Sequence, residues 1–418
     1  MTARLLERLF AGFALFLTSS ALFPLLLGGG DSTLVTAPDD RRLTYLSLAV
    51  YAIAGALVLK RRTAVLDLMA RNKLLFALVG LALLSVAWSA SPATTAWRAF
   101  ALALTSVLGV YLATAFSTRE LAGLLAWVLL AILAASAALA VLRPALGLDH
   151  LRGDAWRGVF TTKNELGRIA VLAAAIWTVR AITRNGRLPV AVGAVGFSLI
   201  ALARSGSKTG ALVLAALAVL IVLLPVLRAH WSIAVPAAML VAAGGVLGFH
   251  YLAGHSDAAL NTVGGDSTLT GRSEIWAAVW TMISAHPWLG YGFGAFWRGF
   301  DGPSAQVWAT VGATPPHSHN GVLDLWLDLG LAGVALMAGS FLVTAGRAVR
   351  ALRESWSVEA AFPAAILAFL VLFNLTESSL LKQHSVFWVL YVATSVQLAA
   401  RQRRRAPVLV PRPVAVAA

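Results

Sequence analysis

The stretch Leu121-Ala122-Gly123-Leu124-Leu125-Ala126-Trp127-Val128-Leu129-Leu130-Ala131-Ile132-Leu133, inside the apolar run 120–141, decides the fold class of this chain. It carries no charge, and about 20 such residues are what a helix needs to cross about 30 Å of hydrocarbon. Working outward, similar runs occur near 9–27, 43–59, 73–88, 97–115, 166–183, 188–203, 209–227, 231–252, 321–346, 358–374 and 384–400, about twelve in all. Composition agrees: 59% of the 418 residues are hydrophobic and 12% charged, against about 25% charged in soluble domains. Mean hydropathy is +0.80. The expectation is an all-α integral membrane protein with about 12 transmembrane helices. One polytopic domain covers 1–405, and 406–418, alternating Pro, Val and Ala beyond a basic cluster, reads as a disordered cytoplasmic tail.

Loops rich in Lys and Arg stay in the cytoplasm. Arg4, Arg8, the 60–73 cluster, Arg119, the 180–187 cluster, Arg228, the 347–353 cluster and the 401–405 cluster all fall on one side when both termini are cytoplasmic. The first run reads as an uncleaved span, because Leu25-Leu26-Leu27-Gly28-Gly29-Gly30 is a poor cleavage site. Much of the net charge of +15 is this topogenic set facing anionic lipid, so no nucleic-acid partner is needed. The absence of cysteine excludes disulfides and thiolate metal sites. No metal motif is present either: His317 and His319 stand two apart without a third ligand at customary spacing.

Residues 253–320 form the one long polar interruption, placed outside the cytoplasm by this topology. Gly271 can cap a helix with Glu274 three residues on. Ile275, Trp276, Val279, Trp280 and Ile283 then make one apolar stripe, ended by His286-Pro287, which predicts an amphipathic helix at the membrane surface. Gly290, Gly292 and Gly294 are places where backbone can approach a ligand closely, or parts of an interfacial aromatic belt.

Arg272 falls in the first turn of that helix, where free N–H groups and the helix dipole favour an anion, so it reads as a phosphate ligand, or else as a solvated arginine or a partner of Glu274. Arg152, Arg157, Lys163, Arg168, Arg204 and Lys208 also fall outside, against the positive-inside pattern. They read as interfacial anchors singly and as an anion site together. Ser207-Lys208-Thr209 is no nucleotide P-loop, since no strand or full glycine motif precedes it. His319 is the candidate general base, with His317 beside it. Asn320, Asp324 and Asp328 follow at four-residue spacing on one helix face, which reads as support for the site or as a polar face toward the bundle interior.

Here the residues are similar to a known family. His319-Asn320, nine residues, Gly330, two residues and Gly333 resembles the signature of the O-antigen ligase and polymerase superfamily. Leu269-Thr270-Gly271-Arg272, His286-Pro287-Trp288-Leu289-Gly290-Tyr291-Gly292 and Ser207-Lys208-Thr209 look like its other blocks. Gly158-Val159-Phe160-Thr161-Thr162-Lys163-Asn164 looks most like its exopolysaccharide-polymerase branch. The resemblance covers about 150–400 and is weak before that.

The resemblance implies a GT-C-like, metal-independent, inverting glycosyltransferase of the bacterial inner membrane, with 253–320 as a periplasmic loop and no cofactor. Its donor would be a glycan on undecaprenyl pyrophosphate, and a chain-length regulator is a conceivable further partner. His319 and Arg272 take the catalytic roles. Lys208, Arg157, Lys163, Arg204, His317 and Asn320 are candidates for holding pyrophosphate or substrate, with Glu274 and Asp324 in support. Lys208 stands where ligases carry a second arginine, which favours polymerase over O-antigen ligase. A carrier or flippase for lipid-linked glycans is a further alternative, and it would call for paired repeats and discontinuous helices.

Overall fold

The structure is a computed structural model and describes residues 2–21, 41–150, 153–226 and 270–405. The expected span 231–252, Arg152, the first part of the polar loop and the tail 406–418 lie outside the described residues.

In chain order the helices are α1 (Thr2–Thr18), α2 (Arg41–Leu59), α3 (Arg62–Ala70), α4 (Lys73–Leu84), α5 (Pro92–Ala115), α6 (Thr118–Leu142), α7 (Lys163–Ile182), α8 (Leu188–Ser205), α9 (Lys208–Leu223), α10 (Thr270–Ala285), α11 (Ser304–Val311), α12 (Gly321–Glu354), α13 (Val358–Asn374) and α14 (Val386–Arg405). Each expected span that falls among the described residues overlies one of these helices. Taken by length and hydropathy, four of the described helices suffice alone to cross a membrane: α5, α6, α8 and α12. The chain is a multi-pass, all-α membrane protein. Helix α3, which hydropathy did not predict, turns 95° away from the helix before it. A two-residue hairpin, β1 (Leu148–Asp149) against β2 (Ala155–Trp156), leads into α7.

Local chemistry starts the helices where they start. Ser117 and Glu120 cap α6 reciprocally: the serine hydroxyl accepts the Glu120 N–H at 3.3 Å and the carboxylate accepts the Ser117 N–H at 3.0 Å. Thr162 and Ser207 accept N–H groups in the first turns of α7 and α9. Gly206, at φ 57°, closes α8 in the left-handed conformation that favours glycine.

The core lies around α7, α13 and α14. Ile169 through Trp177 are buried in α7 and Val386 through Leu398 almost continuously in α14, as expected of helices that are apolar all round. On α7, Gly167 sits so close to the Ser207 side chain that a Cβ there would overlap it, and Arg204 lies 5.1 Å over the Trp156 ring. The blocks 156–167 and 204–210, distant in sequence, are therefore neighbours at one end of the bundle.

Candidate active site

From residue 270 onward the polar loop is packed around its own small core. Ala278, Val279, Met282 and Ile283 of α10 close on Tyr291, Phe296, Val307 and Leu327. Two sequence expectations change here. Gly271 is the second residue of α10 and not its cap, because the helix begins at Thr270. Trp280 leaves the buried stripe: it is exposed and packs edge-on against Trp326 at 5.5 Å.

Gly290, Gly292 and Gly294 also have a different use from the one their sequence suggested. Helix α12 breaks at Gly330, whose φ of 65° and ψ of −168° are open to glycine and strained for other residues. The Pro287–Gly292 backbone fills the break. Tyr291 and Gly292 donate their N–H groups to the Leu327 and Asp328 carbonyls at 2.8 and 3.0 Å, and Leu331 donates to Pro287 at 2.8 Å. A side chain at Gly330 would overlap the Trp288 backbone, and one at Gly292 would overlap Ser89. Arg98 donates to the Gly294 carbonyl. The glycines thus let backbone meet protein, and the clasp holds the start of α12 in place.

That start carries the histidines. Asn320 accepts the Val322 and Leu323 N–H groups at 2.9 and 3.3 Å and so caps α12. Asp324 accepts the Ser318 N–H at 3.0 Å and the Trp297 indole N–H at 2.9 Å, tying the histidine turn to the loop core. Trp276 of α10 donates to the Ser318 carbonyl at 2.8 Å. His319 takes φ 56°, uncommon for a residue with a side chain. Its N–H donates to His317 Nδ1 at 3.1 Å, and the two rings lie 4.2 Å apart.

Opposite them stands Glu377, which the sequence reading did not single out. Its Oε2 lies 3.5 Å from His319 Nδ1 and 3.7 Å from His317 Nε2. The connection from α13 to α14 holds it there. The Glu377 N–H donates to Phe373 at 2.7 Å, while Asn374 Oδ1 accepts from the Ser379 and Leu380 N–H groups at 2.8 and 2.9 Å. Gly321, lacking a Cβ, lets α12 start directly against Asn374. Burial works to raise the Glu377 carboxyl, but the His319 contact and the charges of His319, Arg168 and Arg272 outweigh it, and the net shift is downward.

Three cations act electrostatically on the centre. Arg272 is buried, its Nε has no partner among the described residues, and Glu377 partly offsets the lowering that burial imposes on it. Glu274 is exposed, and its two-residue spacing from Arg272 puts it on another face of α10. Arg168 of α7 lies 4.5 Å over the Phe387 ring with its Nε also unpartnered. Lys382, on the Glu377 connection, is lowered chiefly by burial, and Asp324, Glu377 and Asp328 counter it. His317 is held well below its usual value by burial first, then by Lys382, His319, Arg168 and Arg272.

Ligand atoms of His317, His319 and Glu377 lie within 4.8 Å of one another, close enough to consider a metal. The donor set argues against one. A metal-bound histidine donates its other ring N–H to an acceptor, whereas His317 Nδ1 accepts a backbone N–H. Three cationic side chains also act on the site. Its chemistry suits an anion.

Other predicted residues sit at the same end but are not drawn into this centre by any described contact. Arg157 donates to the Leu146 carbonyl at 3.2 Å and Arg204 covers Trp156. Lys163 and Lys208 lie in the first turns of α7 and α9, whose starts pack together through Gly167 and Ser207.

Residues 193–338, which carry Lys208, Arg272, His317 and His319, match the O-antigen ligase family. Over 274 residues the chain is 30% identical to the exopolysaccharide production protein ExoQ of Rhizobium meliloti (strain 1021). Both matches are likenesses of part of the chain to the superfamily that its motifs resemble. The second match spans 60% of each chain, less than two thirds of the relative's length. Arg168, Glu377 and Lys382 lie outside the matched segment, although Glu377 touches both of its histidines and the two cations act on His317. The only sequence signal for Glu377 was that it lies in the connection after α13, on the side the topology assigns to His319, which does not set it apart from a solvated loop acid.

Proposed function

We propose that this protein is an inverting membrane glycosyltransferase that polymerises glycan repeats carried on undecaprenyl pyrophosphate, at the extracytoplasmic face of the bacterial inner membrane. The observation that carries the reading is the histidine centre on which the charges of Arg168, Arg272 and Lys382 act, a base among cations. His319 Nε2 takes the proton of the acceptor hydroxyl as the acceptor oxygen bonds to the donor's anomeric carbon. The bond from that carbon to the pyrophosphate oxygen breaks, and the pyrophosphate leaves with the electron pair. Arg272, Arg168 and Lys382 stabilise the charge that develops there; one such preorganised contact is worth about 10²–10³ in rate. Buried, with an unpartnered Nε, the Arg272 fork suits two phosphate oxygens better than a solvated anchor would.

The family matched is described as O-antigen ligase, which supports a second reading with the same chemistry and lipid A core as acceptor. The carrier reading loses its main structural argument at Gly330. Transporters use a broken helix to offer backbone carbonyls to an ion, and here the Leu327 and Asp328 carbonyls are taken by Tyr291 and Gly292.

The test incubates the purified full chain with a defined undecaprenyl-pyrophosphate-linked repeat, with and without lipid A core. Polymer should form from the repeat alone, and His319→Ala should lower its rate by about 10³-fold or more with the fold unchanged. Transfer to core alone would decide for the ligase. Normal extension by His319→Ala would remove the base role.

A further inference from the structure

The centre holds a feature that the proposed reaction does not use. Nδ1 of His319 is buried and lacks a standard hydrogen bond; among the described residues the carboxylate in contact with it is that of Glu377, with Oε2 at 3.5 Å. His317 Nε2 lies 3.7 Å from the same oxygen, and His317 Nδ1 accepts the His319 N–H at 3.1 Å. A nitrogen that accepts a hydrogen bond carries no proton, so neutral His317 has its proton on Nε2, directed at Glu377. His317 therefore bridges the backbone of one histidine to the carboxylate that faces the ring of the same histidine.

We infer that Glu377 is the positioning residue of the general base: it takes the His319 Nδ1 proton as a hydrogen bond, fixing the tautomer that leaves Nε2 open to the acceptor hydroxyl, while His317 holds Glu377 in register. This rests on the base role proposed for His319. The two carboxylate contacts are a few tenths of an ångström longer than hydrogen bonds, as such contacts often are before substrate closes the site. The arrangement follows the logic of a carboxylate orienting a catalytic imidazole, where the wrong tautomer costs about 10⁴ in rate.

Among the described residues neither Asp324 nor Asp328 lies within 4.0 Å of either imidazole, whereas Glu377 reaches both. Asp324 Oδ1 accepts from Ser318 and Trp297, and the carboxyls of Asp324 and Asp328 act on Lys382. The charged groups acting on the histidine pair and Glu377 are Arg168 from α7, Arg272 from α10 and Lys382 from the connection before α14. With those cations present, an imidazolium needs a nearby anion, and Glu377 is the one in contact. The connection that bears Glu377 is anchored by the buried Asn374, and Glu377→Gln keeps the size of the side chain, so the change can be made without opening the core.

The experiment measures repeat polymerisation by the purified full chain from about pH 5 to about pH 9 in Glu377→Gln, His317→Gln, His317→Ala and His319→Ala, each checked for monodispersity and thermal midpoint. Glu377→Gln should lower kcat by about 10²-fold with KM within a few-fold. Its acid limb should move to lower pH, because the imidazolium has lost its anion. His317→Gln, whose planar amide offers an acceptor and a donor without titrating, should retain activity within about tenfold, and His317→Ala should fall as Glu377→Gln does. Parental kcat and pH profile in Glu377→Gln, with His319→Ala inactive, would overturn the positioning role and leave the base role standing. An active His319→Ala would overturn the base role itself. Should Glu377→Gln fail to fold, the His317 pair decides: equal loss in both variants, or loss in neither, refutes the bridge.

Discussion

Arg4, Arg8 and Arg61 at one end of the bundle are held differently from Arg168 and Arg272 at the other. At one end Arg4 meets Glu7 and Glu120 at 2.9 Å each, Arg61 meets Glu7 at 2.9 Å and Arg8 meets Glu120 at 3.2 Å. Those carboxylates tie α1, the link after α2 and the start of α6 together. Helix α6 then runs to the other end, where the hairpin leads into α7 and Arg168. There, among the described residues, no carboxylate lies within 4.0 Å of Arg168 or Arg272, and the Nε of each is buried without a partner. The Glu377 carboxylate faces two imidazoles instead. Burying a charge without a partner is costly, so cations held this way call for an anion in contact, which the described residues do not supply. Charge at the first end ties helices together, and charge at the second end fits the anionic substrate proposed above.

The contrast can be broken most directly at Arg272. Replacing it with Ala should lower polymerisation by about 10²–10³-fold, and Lys should remain at least about tenfold impaired, since a point charge cannot reproduce the planar fork. Binding of the lipid-linked donor, measured on the same purified protein, should weaken in both. Full activity in Arg272→Lys would reduce the arginine to a general positive potential.

The histidine, the loop arginine and the runs of apolar residues were legible because each rests on a local pattern: hydropathy over about 20 residues, a helix start, a spacing between His319 and Gly330. What escaped depends on chain segments meeting. Glu377 follows Thr376 in a connection of ordinary polarity, and nothing local distinguishes it from a solvated loop acid. Its role appears only when Gly321 allows α12 to begin against Asn374. Lys382 escaped for the same reason, and Arg168 was visible only as one outside cation among six. The glycines at 290, 292 and 294 were legible as close-approach sites, but sequence does not say what approaches. The broken helix at Gly330 supplies the answer, because its released carbonyls need donors.

That clasp gives the next prediction. Gly330→Ala would place a methyl group against the Trp288 backbone at a φ of 65°, strained for alanine in any space. A loss of about 2 kcal/mol or more in stability is expected, read as a lower thermal midpoint in detergent, together with lower activity as the start of α12 shifts. An unchanged midpoint would show that the helix can close over residue 330 without the clasp.

Acid should act on the second end through His317. Burial first, then Lys382, His319, Arg168 and Arg272, hold its folded pKa well below 6.5. Between that lowered value and 6.5 the unfolded chain binds a proton that the folded chain does not, so stability is full above 6.5 and declines as pH falls. The decline is at most about 1.4 kcal/mol per pH unit for one group. Thermal midpoints at about pH 7.5 and about pH 5 should differ less in His317→Gln than in the parent; equal differences would assign the acid sensitivity elsewhere.

The smallest effect is expected at the first end, and it tests the contrast from the side where charge is only structural. Arg8 is 54% exposed and reaches Glu120 at 3.2 Å, while Glu120 keeps Arg4 at 2.9 Å and its own place in the α6 cap. An exposed pair with a redundant partner contributes a few tenths of a kcal/mol, about 0.5 at most, and salt weakens it further. Arg8→Ala should therefore leave both the midpoint and polymerisation close to parental values. A large loss of activity with the midpoint preserved would mean that the two ends communicate through α1 and α6, and that the paired end does more than close the fold.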